Sequence, residues 1–129
     1  MSGETTALLL IEPDHATRQL YERELSKRWR VVAVEQITEM LDVLTAEPIN
    51  AIILEPGAIK AEQWQLLTAA REQIGKAALP IIICSSVDER SKGYESGASA
   101  YLIKPVSPRQ LSSEVARWLQ AQLQAEESN

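Results

Sequence analysis

Apolar residues fall into two alternating patterns along this chain. Unbroken apolar runs at Ala7–Ile11, Ala51–Leu54 and Ile81–Cys84, the last opened by Pro80, read as short strands buried on both faces. Arg30–Val34 and Ala100–Ile103 supply a second and a fifth strand. Between the strands lie longer stretches with apolar residues at helical spacing, each wanting one buried face. Asp14 can cap a first helix running to about Trp29. The next helix spans Gln36–Ala46, with Ile37, Met40, Leu41 and Leu44 on one side and Pro48 closing it. A third runs from about Lys60 to Ile74, turning Trp64, Leu67 and Ile74 inward, with Gly75 as its stop. Asp88–Ser96 predicts a short polar helix. Pro108 opens a last one, with a stripe of Leu111, Val115, Trp118, Leu119 and Leu123.

Five strand–helix units in succession predict an α/β, doubly wound, five-stranded parallel sheet with helices on both faces. In such folds chemistry collects at the carboxyl ends of the strands. The residues there are Glu12 to Asp14, Glu55 to Gly57, Ser85 with Ser86, and Lys104-Pro105.

Composition narrows the function classes. The chain has 129 residues, enough for one ordinary domain, and 45% of them are hydrophobic. Residues 7–123 are expected to form that domain, after a disordered stretch at 1–6 and before a polar, fraying tail at 124–129. No apolar run approaches the length of about 20 residues that a membrane span needs. The N-terminus lacks the pattern of a signal peptide. A net charge of −5 argues against a nucleic-acid or anionic-membrane surface. Arg23, Lys27, Arg28 and Arg30 do cluster, and read as a solvated face at the end of the first helix. Cys84 lies in an apolar run and reads as a buried thiol, which fits a reducing, cytoplasmic setting. His15 reads as solvent-facing, and Trp29, Trp64 and Trp118 as packing residues. Nothing pairs with Ser85 or Ser86 as a triad would require. There is no glycine-rich phosphate loop and no Cys/His cluster for zinc.

The residues at the strand ends carry a resemblance. The segment Glu12-Pro13-Asp14-His15-Ala16-Thr17-Arg18, then Glu55, Ser85, Gly97-Ala98 ahead of Tyr101, and Lys104-Pro105 fall in this order around the five strands. In this order and spacing the chain resembles the receiver domain of two-component response regulators, a flavodoxin-like fold. The resemblance covers residues 7–123. It implies an acidic pair at Glu12 and Pro13, a phosphoacceptor at Glu55 and a hydroxyl at Ser85. It also implies a switch aromatic at Tyr101 and a Lys-Pro whose peptide bond is cis. Phosphoryl transfer in that family uses a divalent cation, held by the acidic pair, the acceptor and a backbone carbonyl, here that of Gly57.

The chain departs from the family pattern where that reaction takes place. Proline replaces one acid of the pair at Pro13, and glutamate stands where the family has aspartate at Glu55. The loop after the third strand carries Pro56 and Gly57, and Ile59 where the family often has proline. In-line transfer is sensitive to misplacement of about 1 Å, at a cost near a hundredfold. Glu12, Pro13, Asp14, Glu55, Gly57, Ser85 and Lys104 are therefore expected to form a degenerate phosphoacceptor pocket, not a catalytic site. No cofactor is expected, with magnesium weak at best and Glu12 and Glu55 as weak candidate ligands. Asp14 reads first as the helix cap and second as a substitute ligand. Glu55 is long enough to approach Lys104 and Ser85. Two readings of that approach stay open: a locked arrangement of the domain, or a plain surface ion pair.

The function expected is that of an atypical, pseudo-receiver domain: a phosphorylation-independent protein-interaction module rather than an enzyme. The alternative is a true phosphorelay receiver using Glu55. The expected partner is a protein of a signalling pathway, such as a sensor kinase or an output protein, with self-association open and no nucleic acid or membrane. The candidate interface is the face of the fourth helix, fifth strand and fifth helix, with Arg90, Lys92, Tyr94 and Arg117, and Tyr101 as added aromatic area. Gly93 interrupts the fourth helix, and reads as a source of local instability.

Overall fold

A computed structural model describes residues 6–56, 61–74 and 79–127, with backbone alone at 61–63, 73, 74, 126 and 127. The strands are β1 (Ala7–Ile11), β2 (Arg30–Val34), β3 (Ala51–Leu54), β4 (Ile81–Ser85) and β5 (Ala100–Ile103). They form one parallel sheet in the order β2-β1-β3-β4-β5. Leu9 registers with Val32 on one side and Ile52 on the other. The helices are α1 (His15–Leu25), α2 (Met40–Ala46, preceded by a 3-10 turn at Ile37–Glu39), α3 (Ala61–Ile74), α4 (Arg90–Glu95) and α5 (Pro108–Glu127).

Alternation along the strands builds a core on each face of the sheet. Leu9, Ile11, Ile52, Leu54, Ile81 and Ile83 meet Met40, Trp64 and Leu67 on the side of α2 and α3. Leu8, Leu10, Ile53, Ile82 and Cys84 meet Tyr21, Leu25, Leu111 and Val115 on the side of α1 and α5. Both faces being covered explains why β1, β3 and β4 read as continuous apolar runs. Trp64 is buried, while Trp29 and Trp118 pack half-buried against the second core.

Several boundaries differ from those expected. α1 ends at Leu25, because the amides of Ser26 to Trp29 bond back as a closing turn and leave the helical path. α4 begins at Arg90, two residues after Asp88, whose carboxylate instead binds the Arg90 guanidinium. α5 continues to Glu127, four residues past the expected end of the domain, through Gln, Ala and Glu, which are strong helix formers. Its outermost apolar residue, Leu123, is exposed rather than part of the buried stripe. Gly75 and residues 1–5 lie outside the described residues, and Ile74 is described by backbone alone.

Between α4 and β5 the chain turns at Gly97, whose φ of +108° is a conformation that side-chain-bearing residues rarely adopt. The Arg71 guanidinium closes this corner, donating to the carbonyls of Leu79 and Gly97 at 2.5 Å each.

Candidate functional site

The backbone ladder carries one carboxylate past the end of each of two strands. Glu12 N–H donates to Val34 O at 3.1 Å, and Glu55 N–H donates to Ile11 O at 2.8 Å. Both glutamates are buried, at 2% and 8% exposure. Lys104 follows β5, with its N–H donating to Ser85 O at 2.8 Å, and the Lys104–Pro105 peptide bond is cis. The Lys104 side chain reaches back over the end of β4. Its Nζ lies 2.9 Å from Glu12 Oε1 and 2.8 Å from Glu55 Oε1. One ammonium thus bridges two buried carboxylates. Burial works against the charge on Lys104, but hydrogen bonds to Glu55 and Glu12 outweigh it and hold its pKa above the ordinary lysine value.

The neighbouring groups have other commitments. The second carboxylate oxygen of Glu12 accepts from Asp14 N–H at 3.0 Å. Asp14 Oδ2 accepts from Thr17 N–H at 2.9 Å and Thr17 Oγ1 at 2.7 Å, so it is the N-cap of α1. Those bonds lower its pKa, with a smaller contribution from the Lys104 charge. Pro13 is exposed and supplies no ligand. Ser85 is buried, and its Oγ accepts from Val87 N–H at 3.1 Å. Gly57 and Ile59 lie outside the described residues. A small divalent cation needs near-octahedral oxygen ligands. Here the two inward carboxylates are already engaged by an ammonium, and the third acid is capping a helix. The side chains present do not make that donor set, and among the described residues no group of three or more His, Cys, Asp or Glu could hold a metal ion.

A second feature lies to one side. A groove of about 680 Å³ runs along β5 and α5, lined by Arg90, Tyr101, Ile103, Pro105, Arg109 and Glu114 among others. Ile103 is 40% exposed within it. Arg90 is held by Asp88 and Arg117 by Glu114, whereas Arg109 pairs with no carboxylate among the described residues. Tyr101 lies inward, 7% exposed. Its hydroxyl donates to Val87 O at 2.6 Å and accepts from Glu89 N–H at 3.1 Å.

No protein-family model matches the chain. Over 98 residues it is 32% identical to the two-component response regulator ORR5 of Oryza sativa, an alignment covering 73% of this chain and 73% of that protein. The chain belongs to the response-regulator family, as a receiver domain. The receiver is also 31% identical over 119 residues to the transcriptional regulatory protein GltR of Pseudomonas aeruginosa, covering 89% of this chain and 49% of that one. It thus spans about half the length of that relative. Its fold matches a CheY-like receiver domain protein from Methanospirillum hungatei with a TM-score of 0.82, at 20% identity, over 95% of this chain and 99% of the other.

Sequence reasoning placed Glu12, Glu55, Ser85 and Lys104 at one edge of this receiver, and the structure brings them together there. The approach of Lys104 to Glu55 was anticipated, but not its second contact, to Glu12. Glu55 is buried, so the surface-pair reading does not hold. Asp14 and Pro13 stand beside the pocket without entering it. Tyr101 is packed inward and lines the groove by one edge of its ring, so the aromatic area it adds there is small. Tyr94 is 50% exposed, but neither it, Lys92 nor Arg117 lines the groove. Arg109 and Ile103 line it and were missed, because nothing in the apolar pattern separates them from ordinary surface positions. Arg18 was noticed only as a spacing marker. Its guanidinium donates to Glu12 O at 2.7 Å, and so fixes the turn that presents Glu12.

Proposed function

We propose that this receiver is a phosphorylation-independent protein-interaction module of a signalling pathway, neither an enzyme nor a holder of a divalent cation. The observation that carries this reading is the Lys104 ammonium bridging Glu12 and Glu55. A receiver pocket that takes a phosphoryl group needs positive charge to neutralise it and carboxylates free to hold the cation. Here the positive charge is already spent on the two carboxylates, and Pro13 adds none. The pocket is complete in itself, and ties the ends of β1, β3 and β5 into one arrangement.

The working surface is then the groove on the α4–β5–α5 face. Its exposed Ile103 and the Arg109 guanidinium suit a protein partner with an apolar anchor and an acidic neighbour. That partner is a sensor kinase, an output protein or a second copy of the receiver. No helix among the described residues is long and apolar enough to cross a membrane. We place the protein in the cytoplasm, with neither membrane nor nucleic acid bound by this domain.

The test is incubation with magnesium and a small acyl phosphate, followed by intact mass. No added phosphoryl group is expected, and partner capture should be the same with and without the phosphodonor. Stoichiometric phosphorylation of Glu55 would establish a true phosphorelay receiver instead. The triple change Glu12→Asp, Pro13→Asp and Glu55→Asp restores the family's acids, and is expected to regain phosphoryl transfer.

A further inference from the structure

Gly93 sits buried in α4 with an ordinary helical backbone, so no special dihedral calls for glycine there. What calls for it is a close approach. A Cβ at this position would stand 2.7 Å from Cδ2 and 3.0 Å from Cε2 of Tyr101, and 3.1 Å from Cδ1 of Ile83. Contacts under 3.0 Å to an aromatic carbon are not tolerated, and the Tyr101 ring is neither small nor at the end of a flexible chain. The α4 backbone is therefore seated directly on the ring.

The ring in turn holds two things in place. Its hydroxyl is bonded to Val87 O and Glu89 N–H, both in the segment between β4 and α4. Its outer edge lines the groove of about 680 Å³. On its inner side Ile83 belongs to the packed core. With Gly93 and Ile83 packed against the ring, the groove offers space to a displaced one.

We infer that Gly93 is a positioning residue that keeps Tyr101 inward, and that this contact sets the β4–α4 segment and keeps the groove open. Adding one methyl at position 93 drives the ring outward. The segment from Ser86 to Glu89 loses its anchor, and the groove is filled by the protein's own tyrosine. The consequence for a partner rests on the interaction reading given above; the position of the ring does not.

Two measurements separate these. Hydrogen exchange and ring NMR of Gly93→Ala read the tyrosine without any partner. The Glu89 amide is expected to lose its protection, and the Tyr101 ring to become solvent-accessible. A Gly93→Ala protein with the ring still buried and the Glu89 amide still protected would overturn the inference. The second measurement is a denaturation cycle. Gly93→Ala is expected to lower the midpoint in the native background, and to leave it unchanged or raise it in a Tyr101→Ala background, where the clash is gone and alanine is the better helix former. An equal loss in both backgrounds would place the cost elsewhere and contradict the role given to Tyr101. Tyr101→Phe serves as the control: it loses protection at Glu89 but keeps a buried ring and an open groove. If Gly93→Ala displaces the ring and capture of the partner is undiminished, the inference stands, and the assignment of the groove as the interface fails.

Discussion

The Lys104 ammonium and the Glu55 carboxylate meet at 2.8 Å although their strands are not neighbours. β4 lies between β3 and β5, so the two backbones are separated by two strand spacings, about 10 Å in all. The four-carbon stem of lysine and the extra methylene of glutamate together span the gap. An aspartate at position 55 would have to draw the lysine further in, and away from Glu12. The glutamate that looks like a defect in a phosphoacceptor is the right length for this pair.

Removing the lysine should expose what it compensates. Lys104→Met leaves two buried carboxylates facing each other without a cation, and is expected to cost about 3–5 kcal/mol at neutral pH. Urea unfolding at pH 7 checks this. In the native protein the Lys104 pKa is raised. Its stabilising effect is therefore fully present below the ordinary lysine pKa of about 10.4, and is lost only as pH climbs through the higher folded value. A loss below about 1 kcal/mol would mean that the carboxylates are solvated without Lys104.

Asp14→Ala distinguishes a cap from a ligand. Loss of the two bonds to Thr17 should lower the thermal midpoint of the fold. The response to magnesium should be unchanged, as measured by thermal unfolding with and without the ion. A magnesium response present in the native protein and absent from the variant would make Asp14 a ligand.

How much of this could be read from the sequence follows from what each feature depends on. Five strand positions were legible because both faces of the sheet are covered, which forces unbroken apolar runs such as Ala51–Leu54. The end of α1 was not, since Ser26 to Trp29 stay compatible with a helix and only the packing of Trp29 takes the chain away from it. The place of the site, at the strand ends, was legible from topology, and the roles of its residues from the family resemblance. The bond from Lys104 to Glu12 was not, because it crosses 92 residues of chain and depends on the sheet order. The close approach of Gly93 to Tyr101 was not legible either, because Tyr101 lies eight residues on and is brought against it by the turn at Gly97.

Cys84 gives a test of the core that does not involve the pocket. Its thiol is buried, and that burial pushes its pKa up to about 11, against a smaller lowering effect of the Tyr21 hydroxyl 3.7 Å away. The thiolate is the reactive form. An aromatic disulfide reagent at pH 8 should label the native protein slowly, and the urea-unfolded protein within the mixing time. Immediate labelling of the native protein would show that β4 is open to solvent.

The claim on which the functional reading depends is that an ammonium stands where a receiver would place a divalent cation. A magnesium titration followed by backbone-amide NMR reads this directly, at Asp14, whose N–H is bonded to Glu12, and at Glu55 and Lys104. The expected result is that these three amides do not move at millimolar magnesium in the native protein. A saturable shift confined to those residues, with Lys104 released from Glu12 and Glu55, would contradict it.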